Sequence, residues 1–207
     1  MNYGFKIDFE EFLNILTSII AISLSITIAN FGFSLSGAQF LKFFGIFSVT
    51  VGSGFLFHEL AHKFVAIKFG HYARFISWQF GLILMLVLSF LIAIFNLPLP
   101  LFLAPGAVVI FSNKKISLFE NGIISAAGPI TNILLALVFF ILFVLFSVQQ
   151  DLDNPIFLLF FIGVKINLFL AFFNLLPLYP LDGSKIFSWN KFVWFILFLI
   201  SLIGFLI

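Results

Sequence analysis

Residues 58–62 read His58-Glu59-Leu60-Ala61-His62. If this stretch is helical, positions i and i+4 share a face. Two imidazoles so placed can hold one zinc ion, and the intervening Glu59 can reach a water molecule on it. The residue types suit amide hydrolysis. Zinc brings the pKa of water toward neutrality, and a carboxylate takes the proton as the water attacks a carbonyl. With three His in 207 residues, chance produces the pattern in roughly one such chain in a thousand. The bland alternative is a helix end at a membrane surface with incidental His. A glutamate at such depth is costly, however, and usually marks a functional site.

A catalytic zinc takes three protein ligands and keeps one open position. The third can be His, Asp or Glu. His71 is the remaining His; it follows the helix in a polar loop, where a surface role is expected. Asp182 is the better candidate. It closes the run Asn174-Leu175-Leu176-Pro177-Leu178-Tyr179-Pro180-Leu181-Asp182-Gly183. The prolines should unwind the helix end there, and Gly183 should let the chain turn, so that Asp182 can point back into the bundle.

The elements that must bring these residues together are set by composition. The chain is 63% apolar, 20% aromatic and only 9% charged, with a mean hydropathy of +1.26. A globular chain carries roughly a quarter charged residues, so lipid is the expected solvent. The absence of Cys excludes a disulfide scaffold. A net charge of +2 leaves no basic stripe for nucleic acid. Uncharged runs long enough to cross the hydrocarbon, about 20 residues each, cover 12–31, 121–150 and, with one Lys inside, 156–176. The run 40–57 continues as a polar helix end to Lys68, and 192–207 is a short last run. The first run follows Asp8, Glu10 and Glu11 rather than a basic leader, which reads as an anchor, not a signal peptide.

The run 75–113 contains no charge, and Asn96-Leu97-Pro98-Leu99-Pro100 should stop a helix over 81–95. It is either a full span or a re-entrant segment. Cytoplasmic loops collect Lys and Arg. As a full span it places Lys6, Lys63, Lys68 and Arg74 inside, against Lys42, Lys114, Lys115, Lys185 and Lys191 outside. As a re-entrant segment, with Leu101–Phe111 returning extended, it places all of these inside except Lys42, with Lys165 within the membrane and Asp151 and Asp153 outside. The rule favours the second. It also puts Asp182 on the same side as His58, which a sixth full span would forbid. The expected fold is therefore an all-α polytopic membrane protein. It is a helical bundle of five full spans plus one re-entrant segment, forming a single domain over 1–207 with a catalytic core at about 40–185. Strands are expected at 73–79 and as a hairpin over 107–119, pairing Ala107–Ile110 with Lys115–Phe119 across Ser112-Asn113-Lys114.

HELAH, Gly128-Pro129 followed by Asn132, and NLLPLYPLDG together resemble the site-2 protease family of intramembrane zinc metalloproteases. The three motifs stand in the family's order over residues 58 to 183, and no PDZ-like insertion interrupts them, as in the minimal type. The resemblance implies one zinc held by His58, His62 and Asp182, with Glu59 as general base and acid. It implies that Asn174 hydrogen-bonds the substrate or the oxyanion. It further implies regulated cleavage within or next to the transmembrane segment of another membrane protein, at a multi-pass enzyme of the cell membrane whose active site lies near the cytoplasmic face. Ala61 stands where Gly is frequent, Asp-Gly-Ser-Lys stands for Asp-Gly-Gly-Arg, and 81–106 resembles an insertion relative to the shortest members. None of these removes a ligand.

Other polar residues within the runs are fewer. Ser125, Gly128, Asn132 and Ala136 share one helical face, which suits close packing on the zinc helix or a place for Asn132 near the site. Gly52 and Gly54, just before His58, suit a close approach by another element or ordinary packing. Lys165 and Asn167 lie mid-span, where Lys165 is expected to face the interior. The rival functions are an inactive zinc-binding scaffold and a metal transporter. A transporter needs ionisable residues along a path across the membrane, whereas here they cluster on one side; a scaffold has no need of Glu59.

Overall fold

A computed structural model describes residues 4–98, 105–147 and 155–207. The expectations for Leu99-Pro100, for the return limb at 101–104, and for Asp151 and Asp153 lie outside the described residues. Asp8 accepts the Glu11 N–H at 2.8 Å and starts α1 (Phe9–Phe31). Ser36 and Gln39 cap each other's backbone and start α2 (Gly37–Lys68). At 32 residues α2 is about 48 Å long, enough to cross the hydrocarbon and continue into its polar end. After the Phe69-Gly70 turn come β1 (Tyr72–Ser77), α3 (Gln79–Phe95), β2 (Gly106–Phe111), α4 (Leu118–Ser147), α5 (Pro155–Asn174), α6 (Asp182–Trp189) and α7 (Lys191–Leu206).

The chain is mostly helical and is an integral, multi-pass membrane protein. Among the described residues, α1, α2, α4 and α5 are long and apolar enough to span a bilayer. The apolar helices α3 and α7 have 17 and 16 residues, short of the usual span. α7 was expected to cross in full, and it is the shortest of the expected spans.

β1 and β2 pair antiparallel, from Tyr72 opposite Phe111 to Ser77 opposite Gly106. This corrects the expected hairpin: Ala107–Ile110 pairs with β1, not with 115–119. Those later residues are claimed by α4. The Ser117 hydroxyl accepts the Glu120 N–H at 3.2 Å, and the Glu120 carboxylate accepts the Ser117 N–H at 2.9 Å, a capping box that begins a helix where a strand was expected.

The segment between the strands leaves and returns at one place. The Trp78 N–H donates to Pro105 O at 3.0 Å. Near the start of α3, the Ser77 hydroxyl donates to Asn14 Oδ1 on α1 at 2.7 Å. α3 then runs about 25 Å alongside α1. Near its end, a Cβ on Gly32 would lie 3.6 Å from that of Ala93. Asn96, in the left-handed region at φ 47°, closes the helix, as the Asn-Leu-Pro sequence predicts. Ile22, Val51, Phe55, Phe75 and Met85 form the core joining α1, α2, β1 and α3. Ala126, Leu175 and Ile186 form a second core that seats α6.

Candidate metal centre

α2 places His58 and His62 one turn apart, and α6 brings Asp182 to them. Asp182 Oδ2 lies 3.3 Å from His58 Nε2 and 3.0 Å from His62 Nε2. All three donors are buried. Ligand atoms about 2.0–2.2 Å from one tetrahedral ion are separated by roughly 3.4 Å, so the spacing fits. The far ring nitrogens fit as well. His58 Nδ1 donates to Asn132 Oδ1 at 2.5 Å, and His62 Nδ1 to Ile124 O at 2.7 Å. With each Nδ1–H committed to an oxygen, both Nε2 lone pairs converge on a carboxylate. This group of donors could hold a metal ion, and the outer hydrogen bonds are of the kind that orient ligating His.

α4 supplies this outer shell. Asn132 is fully buried. Its Nδ2 donates to Gly54 O and Asn167 Oδ1, both at 3.0 Å, which fixes Oδ1 as the acceptor for His58. Both sequence readings of the small-residue face therefore hold: it packs on α2, and Asn132 touches a site residue. What sequence reasoning missed is the demand on Gly128. A Cβ there would sit 2.5 Å from Nε2 of both His58 and His62. The Gly-Pro dipeptide on the face that meets α2 was the available signal. Asn167 was also missed as a partner of Asn132; the two lie on different helices, and nothing in the local sequence links them.

Asp182 is delivered by an unwound segment. α5 ends at Asn174, and residues 175–181 form turns before α6. The Trp194 indole donates to Leu175 O at 2.7 Å, pinning α7 to that turn. Gly183 was expected to supply a turn conformation. Its requirement is instead close approach: a Cβ would lie 2.2 Å from Leu175 O.

A cavity of about 1000 Å³ opens onto these residues, bounded by Glu59, Val108, Phe173, Asn174 and Lys185 among others. The Glu59 carboxylate accepts the Val108 N–H of β2 at 3.1 Å. Asn174 lines the cavity, and its Nδ2 donates to Leu170 O at 2.9 Å rather than to the His/Asp group. Lys185 Nζ stands 3.5 Å from Asp182 Oδ1, the oxygen turned away from the imidazoles.

One expectation changes. His71 is not a surface residue: it is 1% exposed, and its Nε2 is 3.7 Å from Glu120 Oε1, outside hydrogen-bond distance. The turn after α2 tucks it under α4 rather than into solvent. It is not part of the metal-binding group. Lys165, expected to face the interior, donates to Phe205 O of α7 at 3.2 Å.

The sequence model of Peptidase family M50 matches residues 46–155. The chain is 40% identical over 206 residues to a protein of Methanocaldococcus jannaschii named "Putative zinc metalloprotease MJ0611", covering 98% of this chain and 96% of that one. It is 33% identical over 158 residues to "Putative zinc metalloprotease YwhC" of Bacillus subtilis, covering 67% and 65%. No solved structure gives a significant match.

Proposed function

Because the chain belongs to peptidase family M50, the site-2 protease family, we propose that its convergent His/His/Asp group is the catalytic centre of an intramembrane zinc metalloprotease. In this reading His58, His62 and Asp182 hold one zinc ion, Glu59 is general base and then general acid, and Asn174 serves the oxyanion. The single observation that carries it is the convergence of both Nε2 atoms and Asp182 Oδ2 within 3.3 Å contacts beside a cavity that also receives Glu59. When bound, zinc supplies Lewis acidity that acidifies water and polarises a carbonyl.

This chain's residues do the rest. The substrate is a transmembrane segment of another protein, which must unwind to expose a peptide bond. An extended stretch adds along the edge of β2 that faces the cavity, backbone to backbone. Glu59 takes a proton from the attacking water and returns it to the leaving amine. One amide hydrogen of Asn174 is on Leu170 O, which leaves the other for the developing oxyanion. Asn132 and Ile124 O hold the two imidazoles in one tautomer throughout. Catalysis requires Glu59, and its place on the cavity is why a scaffold or a transporter is not favoured.

The proposed topology keeps 81–97 re-entrant, a single domain with its core at about 40–185, and a site near the cytoplasmic face of the cell membrane. The bond between Trp78 and Pro105 supports it, since both ends of the segment lie beside the sheet. A reporter fused after Lys115 should read cytoplasmic; an external reading overturns the topology. For the chemistry, Glu59→Gln should keep zinc while cleavage of a co-expressed membrane substrate drops to background. Asp182→Ala should lose the metal. Zinc bound unchanged by Asp182→Ala would remove Asp182 from the ligand set.

A further inference from the structure

A second buried carboxylate sits across the sheet from Glu59. Glu11, near the start of α1, is 1% exposed, and its partner Lys63, on α2, is 2% exposed. Lys63 Nζ donates to Glu11 Oε2 at 2.6 Å and to Lys6 O at 2.5 Å, with the Phe5 ring 5.3 Å away. The other oxygen, Glu11 Oε1, accepts the backbone N–H of Phe75 in β1 at 3.0 Å. Phe75 stands opposite Val108 in the ladder, and the Val108 N–H goes to Glu59. In an antiparallel ladder, partners alternate between exchanging both bonds and pointing both N–H groups outward. The Phe75–Val108 rung is of the outward kind, and a glutamate takes each end.

The links close a ring. α2 holds Glu11 through Lys63; Glu11 holds β1 at Phe75; β1 holds β2 in register; and β2 meets α2 again at Glu59, one turn before Lys63. A slip of β1 by one residue would turn the Phe75 N–H inward and reverse every side chain of the strand. We infer that Glu11, fixed by Lys63, is a positioning residue that sets the β1–β2 register against the zinc helix and so determines where the Val108 backbone meets Glu59. The inference rests on the reading of Glu59 as the catalytic base. It concerns a pair that lies outside the His58/His62/Asp182 group and is not among the residues lining the cavity.

The test uses the full chain in detergent micelles, loaded with zinc, with an apolar fluorogenic peptide as probe. Two double variants avoid a stranded charge, since apolar replacement of both partners of a buried pair is often neutral for stability. Glu11→Gln with Lys63→Met keeps an oxygen for the Phe75 N–H. Glu11→Leu with Lys63→Met does not. The first should keep kcat within about threefold of wild type. The second should lose about ten- to a hundredfold in kcat, as small misplacements of reacting groups do, with zinc affinity unchanged and amide exchange over 106–111 accelerated. Equal kcat in the two variants overturns the inference, as does loss of zinc or of folding in the Leu variant in parallel with activity. Glu59→Gln runs alongside. If it stays active, the base assignment fails; if it is inactive while the two double variants match, the clamp alone fails.

Discussion

Glu11 and Glu59 terminate the same rung of a two-stranded sheet, on opposite edges, and both are buried. Around Glu11 every polar group has a partner: Lys63 for one oxygen and the Phe75 N–H for the other, with Lys6 O taking up the remaining reach of the ammonium. Around Glu59 the Val108 N–H is a partner, but the carboxylate also faces a cavity that His58, His62 and Asp182 line with it. Burying a charge is costly unless it is paired. A fully paired site offers stability and register, whereas an incompletely paired one has a place for an ion and a reaction. The same residue type is thus structural on one side of the sheet and available for chemistry on the other.

The contrast breaks most completely at Gly128, on the open side. Gly128→Ala puts a methyl group where both Nε2 atoms already stand. Metal binding and cleavage should both fall to background, as read by metal analysis and by cleavage of the membrane substrate. On the sealed side, Glu11→Ala leaves Lys63 buried without its counter-charge. Stability should drop by about 3–5 kcal/mol, measured by unfolding in detergent, while the folded fraction still binds zinc. A smaller effect sharpens the distinction. Asn132→Leu removes the acceptor behind His58 without touching the ligand set, so zinc affinity should weaken about ten- to a hundredfold in a chelator competition. Asn132→Asp keeps an oxygen there and should lose less. Should Glu11→Ala weaken zinc binding as much as Asn132→Leu does, the two edges are not separable in this way.

Much of the site is readable in the chain because its chemistry is carried by rare residue types in fixed spacing. His58 and His62 declare a helical face, and Asp182 stands in a run whose prolines must interrupt a helix. The juxtaposition of these three follows. The helices follow as well, because apolar runs in lipid have few alternatives. The pairing of β2 was not readable. The local signal at Ser112-Asn113-Lys114 favours a hairpin, and only the capping box at Ser117 and Glu120 shows that α4 has first claim on the next residues. Glu11 and Lys63 were invisible for another reason. Charges flanking an apolar run look like ordinary interfacial residues, and nothing local says that one on α1 reaches one on α2. His71 misled in the same way: a polar neighbourhood in sequence became an interior position once α4 closed over it. The role of Gly128 depends on the distance between two helices, which spacing within one helix does not encode.

The hydrogen bond between Trp78 and Pro105 has an evolutionary corollary. It already staples the two mouths of the intervening stretch, so a tight turn of a few residues would suffice to reconnect them and leave the strand ladder untouched. What would be removed is α3, whose main neighbour is α1, and the flank of α1 so bared would meet acyl chains rather than water. Hydrocarbon is as apolar as the helix it would replace. With its two ends held together, this stretch can change length at its far end, while Leu82 and Met85 tie α3 to the core it shares with Phe55 and Phe75.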